Sequence, residues 1–244
     1  MDSDLCKLNS MEKRNVIRAI KIMNLPENID KFLLFNALCH TSYIFDKNNK
    51  ERNIQSNERL EFLGDSVLEL VISEFLYTNY KLNEGDMSKI RATVASEIIL
   101  SDVAVKIGLN KFILLGTGEE KHGGRKKHSI LADAFESLIA AIYISENFDT
   151  AKKFIIDNLY DYLVKSIDGE LFLDYKTRLQ EITQDVFKEL PEYEVVSSEG
   201  PSHYKFYKIS VKISGKNYGL GEGHSKKIAE QLAAKKACEL LLKK

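Results

Sequence analysis

The sequence has no apolar run approaching the length of a membrane span, so no transmembrane segment and no membrane partner are expected. Its opening residues, MDSDLCKLNSMEKRN, are too polar and acidic for a signal peptide, which makes a cytoplasmic location the expectation. Cysteine is scarce: Cys6, Cys39 and Cys238 are far apart, lack metal-ligand spacing and cannot all pair. Cys39 and Cys238 read as small core residues and Cys6 as an ordinary thiol. The five histidines form no paired-ligand motif, so a zinc site is not expected. Internal repeats and low-complexity segments are also missing.

The 244 residues, 44% of them hydrophobic, suit one sizeable domain or two smaller ones with ordinary cores. A formal net charge of −1 argues by itself against a nucleic-acid partner. The distribution argues the other way. Residues 174–244 hold 13 Lys and Arg against 10 Asp and Glu, and from His203 to Lys236 the tally is 8 against 2, a local surplus that attracts phosphates.

Up to about residue 160 the pattern is helix after helix: Met11 to Met23, Asp30 to Cys39, Asn57 to Asn79, Glu84 to Ile107, His128 to Ser145 and Thr150 to Lys165. GTGEEKHGGRKKHS (116–129) reads as an exposed, solvated connection. Its GxG is a weak phosphate-loop signal, with neither a preceding strand nor a GK[ST]. SIDGELFLD (166–174) marks a change of composition. Beyond it, DYKTRLQEITQDVFKEL is helical, YEVVSSEG, YKFYKISVKISG and KNYGLGEG read as strands and turns, and SKKIAEQLAAKKACELLLKK closes as a helix, giving α-β-β-β-α. The expected organisation is an all-α domain over 1–165, a linker over 166–173 and a small α+β domain over 174–244.

Two helices carry acids at a cost. In NERLEFLGDSVLELV, Glu58, Glu61, Asp65 and Glu69 recur at helical spacing on one side, beside Leu60, Leu63, Val67, Val71 and Phe75, with Gly64 in the middle. Like charges on neighbouring turns repel by roughly 0.2–0.5 kcal/mol per pair, and an interior glycine costs about 1 kcal/mol relative to alanine. Asn57 is placed to cap this helix, which accounts for Glu58 through the macrodipole but not for Asp65 two turns in. In SILADAFESLIAAIY, Asp133 and Glu136 are i, i+3 neighbours within a nearly continuous apolar run. If the two helices pack together, Glu61 and Asp65 meet Asp133 and Glu136. Arg59, Lys89 or Arg91 could neutralise them, or a hard divalent cation such as Mg²⁺ could gather them around a substrate phosphate, which points to phosphodiester hydrolysis.

NERLEFLGDSVLELV resembles the signature of the ribonuclease III family of double-stranded-RNA endonucleases. ALCHTSY (37–43), EGDMSKIRA (84–92) and SILADAFESLIAAIY (129–143) resemble its other blocks, in the family's order, and the tail resembles a double-stranded-RNA-binding domain. The fold class this implies is an all-α endonuclease domain followed by a small α+β double-stranded-RNA-binding domain. The resemblance places the family's metal-binding carboxylates on Glu61, Asp133 and Glu136, with Asp65 completing the catalytic set. It implies Mg²⁺ as cofactor, with Mn²⁺ able to substitute, and a homodimer that cuts both strands of duplex RNA. It further implies 5′-phosphate and 3′-hydroxyl ends with short 3′ overhangs, and roles in ribosomal-RNA and messenger-RNA processing. The signature helix would form the dimer interface, and Gly64 would then let a partner's backbone come close. Glu84 and Glu58 stay outside the core set, and His40 reads as a structural histidine. The rival is a catalytically silent, dimeric RNA-binding regulator.

A duplex reader needs contacts in two minor grooves and with the phosphates between them. In the tail, Thr177, Gln180 and Glu181 share one helix face, Pro201, Ser202 and His203 offer a loop, and Lys226 and Lys227 open the last helix toward phosphate. Glu230 stands where many such domains carry another lysine, so the isolated tail should bind modestly. Tyr204, Phe206 and Tyr207 are assigned mainly to the sheet and core.

Overall fold

The structure is a computed structural model and describes residues 8–46, 54–168, 175–199, 206–223 and 226–242. Its internal contacts divide the chain into two units, 1–171 and 172–244.

The first unit is helical: α1 (Ser10–Ile22), α2 (Lys31–Ala37), α3 (Thr41–Phe45), α4 (Glu58–Asn79), α5 (Glu84–Val94), α6 (Glu97–Lys106), α7 (Thr117–Lys121), α8 (His128–Ser145) and α9 (Phe148–Ile167). Local chemistry sets many of the ends. Asn9 and Glu12 form a reciprocal capping box at the start of α1. Asp30 caps α2 through the amides of Phe32 and Leu33, and Asn147 caps α9 through Thr150.

Two expectations change. Glu84 to Ile107 is not one helix. Ser96 takes an extended backbone (φ −75°, ψ 150°) ahead of α6, and its hydroxyl donates to the Thr93 carbonyl at 2.7 Å. A serine that bonds the backbone in this way offers the chain an alternative to the helix ladder, and two helices result. The 116–129 connection holds α7 and a 3₁₀ turn at Gly124–Lys126, separated by Gly123 at φ +76°, a left-handed conformation suited to glycine. In addition, α9 continues through Ser166 and Ile167.

Helix α8 is the centre of this unit, buried at every position from Ile130 to Ile142 except Asp133 and Glu136. It packs on α4, α6, α2 and α9. Among the described residues it is also the one helix long and apolar enough to cross a membrane, but 61% of it is buried inside the protein, as befits a core helix.

The α4–α8 contact is as close as two backbones allow. A Cβ built on Gly64 would sit 1.8 Å from the carbonyl oxygen of Glu136 and 2.5 Å from its carbonyl carbon. The backbone that approaches Gly64 therefore belongs to α8 of the same chain, and the expectation that this glycine serves a partner chain is corrected. With no side chain there, the acidic segments of both helices are drawn together.

The second unit is α10 (Tyr175–Val186), β1 (Glu192–Glu199), β2 (Phe206–Ile213), β3 (Lys216–Gly223) and α11 (Lys226–Leu242), with an antiparallel sheet in the order β1-β2-β3. Leu179, Val211, Ile213, Ala233, Ala234, Ala237 and Cys238 form its core. Cβ atoms on Gly219 and Gly221 would fall 2.2 and 2.0 Å from the Ala233 and Ala229 carbonyl oxygens, so the glycines of β3 and the alanines of α11 bring sheet and helix into direct backbone contact. Cys39 and Cys238 are buried, and Phe206 is 40% exposed rather than part of the core.

Gly64→Ala must force α4 and α8 apart. It should destabilise the protein by about 1–3 kcal/mol, the usual range for overpacking, and a thermal melt lowered by several degrees relative to the unsubstituted chain checks it.

Candidate metal centre and nucleic-acid interface

The first turns of α4 and the middle of α8 converge. Carboxylate oxygens of Glu61, Asp133 and Glu136 all lie within 4.8 Å of one another, each side chain half-buried. Asp65, one turn beyond Glu61, is exposed beside them. Unit charges about 4 Å apart repel by roughly 4 kcal/mol at an effective dielectric near 20, so this grouping needs positive charge or protons.

Neighbouring side chains do not supply the charge. Among the described residues no lysine or arginine pairs with Glu61, Asp65, Asp133 or Glu136. Arg91 turns instead to Glu69 (3.9 Å) and Ser73 (3.1 Å). The cluster instead shifts toward holding protons. Burial, reinforced by Asp65, Asp133 and Glu61, pushes the Glu136 carboxyl up to about 8. Burial, with Asp133, Glu58 and Asp65 adding to it, raises Glu61. Burial also raises Asp133, with Glu97 contributing. Three hard oxygen donors, close together and short of positive charge, fit a divalent cation such as Mg²⁺.

Glu97 escapes a sequence reading that takes Glu84 to Ile107 as one helix. It opens α6, and its charge acts on both Asp133 and Glu136; the signal for it is the serine immediately before, a helix-start residue. Glu58 is exposed and accepts a hydrogen bond from the Ser56 hydroxyl at 2.7 Å. Glu84 lines a separate depression with Leu70, Ser73, Tyr77, Met87 and Arg91. His40 behaves structurally: its ring accepts from the Ser42 amide at 3.2 Å at the start of α3, and burial lowers its pKa. Asn57 does not cap α4 with its side chain. It is buried, and its carbonyl accepts hydrogen bonds from the amides of Leu60 and Glu61 and from the hydroxyl of Ser137.

In the second unit Thr177, Gln180 and Glu181 are exposed along one face of α10. Glu181 accepts from Arg178 at 3.4 Å. Lys226 is exposed at the start of α11, its ammonium 6.0 Å from the Tyr207 ring centre. Pro201, Ser202, His203 and the side chain of Lys227 lie outside the described residues. Glu230 pairs with Lys176 of α10 at 2.8 Å, and the Lys176 ammonium also stands over the Tyr193 ring.

Residues 30–163 match the family model of ribonuclease-III-like domains, and residues 175–241 match the double-stranded RNA binding motif. Ribonuclease 3 of Pseudothermotoga lettingae is 44% identical, over 86% of this chain and 89% of that protein. Ribonuclease 3 of Clostridium tetani is 47% identical, over 87% of this chain and 88% of that one. Among solved structures, the nuclease domain of ribonuclease III from Campylobacter jejuni is 38% identical, covers 59% of this chain and 96% of its own, and superposes with a TM-score of 0.53. A family model spanning over half the chain, and relatives matched over nearly their whole length, mean that this chain belongs to the ribonuclease III family of endoribonucleases and carries that family's double-stranded-RNA-binding domain behind its nuclease domain.

Proposed function

We propose that the chain is a Mg²⁺-dependent nuclease that hydrolyses both strands of duplex RNA, with Glu61, Asp133 and Glu136 holding the ion, Mn²⁺ able to replace it, and Asp65 completing the catalytic set. The observation that carries this reading is the set of three carboxylates within 4.8 Å of one another with no cationic side chain among the described residues paired to them. When bound, the ion supplies a Lewis acid that steadies the negative charge developing at phosphorus and makes water more acidic. The protein's part is electrostatic and positional. Glu136, its carboxyl pushed up to about 8 by burial and neighbouring acids, would hold the ion together with Glu61 and Asp133 through an all-oxygen face. Asp65, exposed at the edge of the cluster, would help to position a water or the metal.

The family's chemistry extends the proposal to 5′-phosphate and 3′-hydroxyl products with short 3′ overhangs, to processing of ribosomal and messenger RNA, and to a cytoplasmic location. The division we propose is a nuclease domain over 1–165, a linker over 166–173 and an RNA-binding domain over 174–244. In the last of these, Thr177, Gln180 and Glu181 meet one minor groove, Pro201, Ser202 and His203 a second, and Lys226 and Lys227 the phosphates between.

A homodimer is part of this reading. Phe62, Leu70 and Tyr77 recur along one side of α4 and are 78%, 57% and 77% exposed, a row of large apolar side chains left facing water. In ribonuclease III of C. jejuni, a region of the nuclease domain is involved in dimer formation. Leu70→Asp should convert a dimer to a monomer in sedimentation velocity; a chain that sediments as a monomer before substitution defeats this part of the proposal.

Cleavage is tested with labelled duplex RNA and Mg²⁺. Glu136→Ala should cut at least a hundredfold more slowly while still shifting duplex RNA in a gel, and intact RNA with the unsubstituted protein would instead favour a regulator that binds without cutting.

The raised Glu136 carboxyl gives a pH signature. The folded chain holds a proton that the unfolded chain releases near 4.5, so stability present below that pH is lost as pH rises toward about 8. The metal-free protein should therefore melt lower at pH 8 than at pH 6, Glu136→Gln should flatten that trend, and Mg²⁺ should raise the melting temperature more at pH 8, where fewer protons compete.

A further inference from the structure

The two ligand-bearing helices are joined by a hydrogen-bond node as well as by the Gly64 contact. Asn57 lies just before α4 with its side chain uninvolved in capping. Its backbone is pinned from behind, because its amide donates to the Cys39 carbonyl at 2.8 Å. Its carbonyl oxygen accepts from the Leu60 amide at 2.9 Å and from the Glu61 amide at 2.8 Å. The same oxygen accepts from the Ser137 hydroxyl at 3.1 Å, across to α8. Ser137 is wholly buried and follows Glu136 directly. A serine inside a helix ordinarily returns its hydroxyl to a carbonyl one turn back. This one reaches out of α8, so the residues on either side of the bond, Glu61 and Glu136, are referred to a single atom.

We infer that Ser137 is a positioning residue: by donating to the Asn57 carbonyl, which also holds the Glu61 amide, it fixes the axial register of α8 against α4 and with it the separation of the Glu61 and Glu136 carboxylates. This rests on the metal reading above and deepens it. Mg²⁺ requires near-ideal octahedral geometry at oxygen distances of about 2.0–2.1 Å, whereas Ca²⁺ accepts six to eight oxygens in looser arrangements. An error of a few tenths of an ångström in register therefore penalises the small ion first. The carbonyl keeps its two amide donors when Ser137 is removed, so no buried acceptor is stranded and the fold loses little.

The test is metal binding by the full-length protein without RNA. Bound Mn²⁺ is counted by electron paramagnetic resonance, Ca²⁺ is followed by its displacement of Mn²⁺, and thermal melts are recorded alongside. Outer partners of metal ligands commonly account for about 10–100-fold in affinity; acting through a backbone carbonyl, Ser137→Ala should weaken Mn²⁺ about five- to tenfold. Ca²⁺ should weaken less, and the melting temperature and duplex-RNA affinity in Ca²⁺ should stay near those of the unsubstituted chain. Ser137→Thr, which keeps the hydroxyl, should recover most of the Mn²⁺ affinity. Ile139→Val trims a buried side chain on the same helix without touching the node and should leave Mn²⁺ binding unchanged. The inference is overturned if Ser137→Ala binds Mn²⁺ within twofold of the unsubstituted protein, or if Ile139→Val weakens it as much. Absence of any Glu136-dependent Mn²⁺ site in the unsubstituted protein overturns the metal reading itself and this inference with it.

Discussion

The contact of Gly64 with the Glu136 backbone is the constraint on which the nuclease unit depends. Helices usually pack with their axes 8–10 Å apart because side chains stand between them. Removing one side chain at the crossing lets the main chains touch, and the crossing falls at the residue whose carboxyl most needs company. The glycine in the signature stretch is thus bound up with the acids around it: its helix-propensity cost is offset by the packing it permits.

The same closeness creates the site's electrostatic tension. Carboxyls on well-separated helices would ionise at ordinary pH. Here burial raises all three, helped by the neighbouring cluster acids at Glu61 and Glu136 and by Glu97 at Asp133. The acids sit in a stretch of α8 that is otherwise buried and almost wholly apolar, and Glu97 adds a further negative charge from α6. The fold keeps the acids together despite the cost, a local conflict of the kind expected at a functional site.

Much of this was legible in the sequence because acids at three- and four-residue spacing inside apolar runs report a shared helix face. The α-β-β-β-α pattern was equally plain, since strand alternation and alanine-rich helix signals differ in period. Contacts between elements were not legible. Gly64 announces a close approach but not which backbone makes it, and the approach is to α8 of its own chain rather than to a partner. Ser96 carries a helix-start signal that a continuous apolar and charged pattern from Glu84 onward overrides, and Glu97 disappears with it. Asn57 has the chemistry of a cap, yet its side chain makes no capping bond, and the bond that matters comes from a serine eighty residues away.

The ion pair between Lys176 and Glu230 bears on how the tail domain handles its substrate. Each lysine that meets a phosphate displaces condensed counterions, and the strength and salt sensitivity of binding grow with their number. Lys176 spends its charge inside the domain, and Glu230 sets a negative charge one turn from Lys226 on α11. With Lys176 and Glu230 occupied with each other, the positive charge that this domain offers a polyanion rests on its other lysines, Lys226 at the head of α11 among them.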